Sequence, residues 1–226
     1  MRGLFVTGTG TDVGKTVVAA ALARTARATG ERVAVFKPAI SGLDELEAGF
    51  ADHELLRSAS GSPQSDDQIA PYRYGPAVSP HLAAELAGER IDSTRLAATA
   101  RAAGGDADLL ICEGVGGFLV PLAPGYLVRD LARDLGLPVV IATAPGLGTI
   151  NHTLLTADAV RGAGLELAAV VLTPWRDDPS TMEQSNRSTI GALSATEVLT
   201  LPELELARPE HWPALQVPAK PLLRAA

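Results

Sequence analysis

Residues 6–16 read Val6-Thr7-Gly8-Thr9-Gly10-Thr11-Asp12-Val13-Gly14-Lys15-Thr16, a glycine-rich loop between an apolar run and an alanine-rich helical pattern. Glycines let such a backbone curl until successive N–H groups point inward at phosphate oxygens, beside a helix start that favours negative charge. Lys15 then neutralises the β- and γ-phosphates of a nucleotide, and the Thr16 hydroxyl takes a magnesium ion. The expected nucleotide contacts run from Asp12 through Val13, Gly14, Lys15 and Thr16 to Val17. The usual motif places four residues between its glycines. Here five separate Gly8 from Gly14, so the strand–loop–helix context has to carry the assignment against a fortuitous glycine turn.

Outward from this loop, short apolar runs alternate with longer helical patterns. The runs cover residues 4–7, 33–36, 109–112, 139–143 and 168–172, with a weaker one at 197–201. Their near-continuous hydrophobicity is that of parallel strands covered on both faces. Helices are expected at 15–29, 80–87, 93–103, 127–135, 149–163 and 180–193, several of them stopped by a glycine such as Gly30, Gly104, Gly136 or Gly164. This alternation predicts an α/β fold: a doubly wound, mostly parallel sheet of the P-loop NTPase kind. Residues 1–226 read as one domain, with a proline-rich tail at about 202–226 draped over the surface.

Ligands of such sheets bind at the carboxyl ends of the strands, so the segments that follow strands hold the chemistry. The second run ends in Phe36-Lys37-Pro38, which aims Lys37 at the same crevice as the glycine loop; the alternative is a solvated surface lysine. The third runs into Cys112-Glu113-Gly114-Val115-Gly116-Gly117, where Glu113 suits magnesium, an ion held by one or two carboxylates plus phosphate oxygens. Asp52 is a weaker second carboxylate, because Asp44, Glu45, Glu47 and Glu54 surround it as a solvated acidic loop would. Cys112 reads as a small core residue.

The bulk properties narrow the function further. The chain has 226 residues and a formal charge of −7, which argues against nucleic acid or an anionic membrane as partner. A single cysteine is consistent with a reducing cytoplasm, and neither a membrane-length apolar run nor a signal-peptide pattern is found.

Five motifs together resemble the dethiobiotin synthetase family: the glycine loop, Phe36-Lys37-Pro38-Ala39-Ile40-Ser41-Gly42, Ser79-Pro80-His81, Cys112-Glu113-Gly114-Val115-Gly116-Gly117, and Gly148-Thr149-Ile150-Asn151-His152-Thr153. The match runs in order from residue 3 to about 165, includes the five-residue glycine spacing, and weakens after Thr173. The resemblance implies ATP-dependent ring closure of 7,8-diaminononanoate with carbon dioxide. One amine is carbamated, the carbamate oxygen attacks the γ-phosphate, and the second amine closes a cyclic urea as phosphate leaves. It implies Lys37 and Lys15 as the catalytic lysines, Thr11 and Ser41 as substrate contacts, and Thr16, Asp52 and Glu113 as the magnesium site, with Gly114, Val115 and Gly116 bordering the nucleotide. It also implies a homodimer in which Gly148, Thr149, Ile150 and Asn151 receive the substrate carboxylate of the neighbouring subunit. In the family an Asn-Asp pair at the end of the fifth run commonly reads adenine. Thr173 and Pro174 stand there instead, leaving Pro202, Glu203 and Leu204 to touch the base through backbone and packing, so other nucleoside triphosphates are expected to substitute for ATP.

Other readings fit less well. A partition-type switch ATPase commonly carries an extra lysine early in the loop, where this chain has Thr9, Gly10 and Thr11. A cobyrinic acid-type amidoligase needs a glutamine-hydrolysing domain with its own cysteine nucleophile, for which the chain has no room. A related small ligase or kinase acting on another amine or carboxylate is the remaining alternative.

Overall fold

The computed structural model describes residues 2–46 and 49–217; Glu47 and the end of the proline-rich tail, residues 218–226, lie outside the described residues. The chain begins with β1 (Gly3–Gly8), α1 (Lys15–Ala28), β2 (Val33–Phe36) and β3 (Ala39–Ile40), then a short 3-10 turn (Leu43–Glu45). It continues through α2 (Asp52–Ser60), α3 (Asp66–Ile69), β4 (Tyr72–Arg73), α4 (Pro80–Leu86) and α5 (Ser93–Gly104). Then come β5 (Leu109–Gly117), β6 (Pro121–Ala123), β7 (Tyr126–Leu127), α6 (Val128–Leu135), β8 (Val139–Thr143) and α7 (Thr149–Gly162). The last elements are β9 (Leu167–Leu172), α8 (Thr181–Ser194), β10 (Val198–Thr200) and a 3-10 turn at Pro209–His211.

Six strands form one sheet in the order β10-β9-β8-β1-β5-β2, and every neighbouring pair is parallel. Successive side chains on a strand point to opposite faces, so each buried strand feeds two cores. Leu4, Val6, Val35, Ile111, Val140 and Val171 pack towards α1 and α2. Phe5, Phe36, Leu110, Cys112, Ile141 and Leu172 pack into the core on the other side, with residues of α4 to α8. Cys112 is fully buried, and burial followed by the neighbouring Glu113 pushes its thiol well up, so it is an inert core residue.

The expected doubly wound parallel sheet is present, and the six anticipated strands and six helices all occur with small shifts at their ends. Two differences matter for the site. Asp52 itself is not in a loop: α2 starts there. Its N-cap, Ala51, has no side chain to cap with, and Glu54 reaches back to accept the Ala51 N–H instead (2.9 Å), so the usual start signal is missing. The second difference is β5, which does not stop at Cys112 but runs on to Gly117. A Cβ on Gly114 would lie 2.8 Å from a Val128 methyl carbon and 3.3 Å from the Phe5 ring, so only glycine lets the strand continue there.

The first part of the tail is built into the fold. Leu201, Trp212, Leu215 and Val217 are buried with α1, and the Leu215 N–H donates to Thr25 Oγ1 at 2.9 Å. That explains why α1 presents Ala19, Ala20, Ala21 and Ala23, all buried: small side chains let sheet, α2 and tail approach one helix together. Among the described residues no helix is long and apolar enough to cross a membrane.

Candidate active site

The alternation of strand side chains decides which charges meet. Ile111 faces α1 and Cys112 faces away, so Glu113 faces α1 again, at the carboxyl end of the sheet. Phe36 is paired with Cys112, so Lys37, the next residue, comes out beside Glu113. The Lys37 N–H is held by the Ile69 carbonyl at 2.8 Å, which ties this strand end to α3. Asp52 arrives on the first turn of α2, and Lys15 and Thr16 on the first turn of α1, just after Gly14 in a left-handed conformation (φ 84°).

These groups form one network. The Lys37 ammonium donates to Glu113 Oε1 at 2.6 Å and also to Asp52 Oδ2. Thr16 Oγ1 donates to the same Glu113 oxygen at 2.9 Å. The second Glu113 oxygen, Oε2, is buried and has no hydrogen-bond partner. Lys15 Nζ donates to the Gly10 carbonyl at 2.7 Å, curling the loop around its own lysine. Lys37 is only 3% exposed and Glu113 0%, so the solvated-lysine alternative fails.

Burial by itself would lower the Lys37 pKa, but Glu113 and Asp52 outweigh it and hold the ammonium above its ordinary range. Lys15 lacks so close a carboxylate, and burial lowers it. Burial raises Glu113 in spite of Lys37. For Asp52 burial also acts upward, but the Lys37 charge more than offsets it and leaves the carboxyl below its usual value. At neutral pH the cleft thus holds Lys37 as a full cation beside Glu113 and Asp52.

A cavity of about 760 Å³ opens over this network, of the size that small-molecule sites commonly have. Thr11, Asp12, Gly14, Lys15, Thr16 and Val17 line one side, and Lys37, Ser41, Asp52, Glu113, Val115 and Gly116 the other. Apolar walls that the sequence reading did not single out come from Ile40, Phe50, Leu55, Val78, Pro80 and Val120. Pro80 had a signal, the Ser79-Pro80-His81 step. Leu206 also reaches the cavity from the tail, whereas Pro202, Glu203 and Leu204 do not line it. Val13 and Gly114 are not among the residues that line it. Thr173 is buried, and a Cβ on Gly14 would come within 2.5 Å of its methyl group, so Thr173 packs directly under the loop, with Pro174 following. Residues 148–151 open α7 and lie outside this cavity of the single chain.

Among the described residues no cluster of three or more His, Cys, Asp or Glu gathers as in a closed metal site. The oxygens of Thr16, Asp52 and Glu113, one of them an orphaned buried carboxylate oxygen, suit instead a hard cation that brings phosphate ligands with it.

Comparison with known proteins agrees with this geometry. A family model described as an AAA domain matches residues 2–211. The ATP-dependent dethiobiotin synthetase of Anaeromyxobacter dehalogenans is 44% identical over 203 residues, covering 89% of each chain. That of Caulobacter sp. is 39% identical, covering 95% of this chain and 91% of the relative, and that of Bacillus subtilis 34%, covering 88% and 86%. Among solved structures, the MinC:MinD cell division complex of Aquifex aeolicus has the same fold, with a TM-score of 0.56 at 13% identity over 91% of this chain and 82% of the other. A nucleotide-binding protein of Archaeoglobus fulgidus, solved with ADP, gives 0.51 at 17% identity over 94% and 89%. With relatives this similar along nearly its whole length, the chain belongs to the ATP-dependent dethiobiotin synthetase family.

Proposed function

We propose that the protein is a cytoplasmic, homodimeric cyclo-ligase that converts 7,8-diaminononanoate, carbon dioxide and ATP into dethiobiotin, ADP and phosphate. The observation that carries this reading is Lys37, a buried cation held by two carboxylates at the rim of a phosphate loop. An anionic carbamate must approach an anionic triphosphate, and Lys37 and Lys15 offset the repulsion while stabilising the transferring phosphoryl group. Thr16, Asp52 and Glu113 would hold magnesium, which neutralises phosphate charge when bound. Thr11 and Ser41 orient the diamine, whose chain lies along apolar walls such as Pro80 and Val78. The first N–H groups of α7, at residues 148–151, take the substrate carboxylate of the other subunit, as free helix-start donors do.

Purified protein given diamine, bicarbonate, ATP and magnesium is expected to yield the cyclic urea by mass, with phosphate release requiring all four components. Light scattering under the same conditions is expected to give a dimer. Equal phosphate release without diamine would identify a switch ATPase instead, and a monomer with full activity would remove residues 148–151 from the neighbour's site.

The nucleotide base is read loosely. Where an asparagine side chain would offer a donor and an acceptor together, Thr173 is buried with its methyl against Gly14, and Pro174 has no N–H. The triphosphate contacts supply most of the binding. GTP, CTP and UTP are therefore expected to support turnover within about a hundredfold of ATP. Steady-state rates check this, and strict ATP dependence would show that the tail beside Leu206 reads the base.

A further inference from the structure

Thr143 ends β8, is 2% exposed, and joins two parts of the protein that the proposed reaction uses separately. Its Oγ1 lies 2.9 Å from Thr9 Oγ1, in the glycine loop, and 3.0 Å from Thr149 Oγ1, on the first residue of α7. Backbone bonds reinforce the junction: the Thr9 N–H donates to the Ala142 carbonyl (3.2 Å) and the Thr173 N–H to the Thr143 carbonyl (3.0 Å). In the segment between β8 and α7, Asn186 Nδ2 donates to the carbonyls of Pro145 (2.9 Å) and Gly146 (3.2 Å), so the approach to α7 is held by α8 as well.

A hydroxyl carries one proton. Thr143 can donate to only one of its two threonine neighbours, and when it does so it accepts from the other, so that the three hydroxyls run head to tail in one direction or the other. Turning the hydroxyl at one end therefore turns the hydroxyl at the other, and such buried chains strengthen cooperatively. Packing does not demand this arrangement, because valine has the same shape as threonine and the rest of β8 is apolar.

We propose that Thr143 is a positioning residue that sets the start of the glycine loop and the start of α7 in one arrangement, so that triphosphate binding and acceptance of the neighbour's carboxylate are coupled. The carboxylate half rests on the function proposed above; the glycine-loop half does not.

Thr143→Val, Thr143→Ser and Thr149→Val in the full chain test it. Thr143→Val is expected to raise KM for ATP and for the diamine about tenfold each, the effect of one lost hydrogen bond, with kcat within about threefold of the parent. Thr143→Ser, which keeps the hydroxyl, is expected to restore both constants to within about twofold. Calorimetric binding of a non-hydrolysable ATP analogue without diamine is expected to weaken about tenfold in Thr143→Val and about threefold in Thr149→Val, although Thr149 lies outside the nucleotide cavity. Unchanged analogue binding in both valine variants overturns the proposal, as does a lowered melting temperature with both KM values unchanged. A parent enzyme that makes no cyclic urea would remove the proposed function, and the analogue measurements would still judge Thr143.

Discussion

Replacing Lys37 by glutamine is expected to lower turnover by about two to three orders of magnitude while changing ATP affinity less than tenfold. The magnitude is that of one electrostatic contact aimed at charge developing in the transition state, about 2.7–4 kcal/mol. The split follows from position. In the proposed function Lys15 and the loop N–H groups hold the triphosphate in the ground state, whereas Lys37 is anchored by Glu113 and Asp52 rather than by the loop. A contact strengthened only as the carbamate meets the phosphoryl group alters kcat and leaves nucleotide binding largely alone. Rapid-quench turnover and calorimetry separate the two, and a Lys37→Gln enzyme with near-normal kcat would take Lys37 out of the reaction. The same substitution leaves Glu113 buried without its cation. Its pKa, already raised by burial, rises further. A buried carboxyl whose folded pKa lies above its unfolded one binds protons on folding, so its penalty is present above the folded pKa and fades as pH falls through it. Thermal stability of Lys37→Gln should accordingly recover towards the parent as pH is lowered through the raised Glu113 pKa, while the parent itself loses stability as Asp52, held below its usual value by Lys37, is protonated. A constant stability difference between variant and parent across this range would contradict the account.

Glu113→Gln is expected to lower turnover by about a hundredfold or more, on the scale of a lost preorganised electrostatic group, and to raise the magnesium concentration needed for half-maximal rate. Stability at neutral pH should change little or increase. The Glu113 charge is fully buried, and one of its oxygens has no partner, so desolvating it opposes folding. A glutamine carbonyl can still accept from Lys37 and Thr16, and Asp52 remains to balance the lysine. Loss of rate without loss of stability is the mark of a group placed for chemistry rather than for packing. A melting temperature that falls in step with activity, at unaltered magnesium dependence, would show Glu113 to be a structural acid.

Much of the site is legible in the sequence. The glycine loop is contiguous in sequence, so its chemistry could be read from Gly8 to Thr16. The parallel strands declared themselves by unbroken apolar runs, and Lys37 and Glu113 by following directly on two of them. Asp52 was harder, since its neighbours are acidic and the helix it starts lacks a capping side chain. Leu206 and Phe50 gave no signal, because lining a cavity leaves no local pattern in a tail or a loop.

Hydrophobic period, glycine placement and adjacency to strand ends act over a few residues, so the elements, the phosphate loop and the candidates for its charge network follow from local sequence. Which of them touch depends on how the elements pack. Lys37 follows β2, and Glu113, Thr16 and Asp52 come from β5, α1 and α2; they converge because the β2–β5 register and the alternation of strand faces turn their side chains to one side. The Thr9–Thr143–Thr149 chain likewise depends on β1 lying beside β8, a pairing between segments more than a hundred residues apart. Such contacts are set by strand order and register, which no short window of sequence contains.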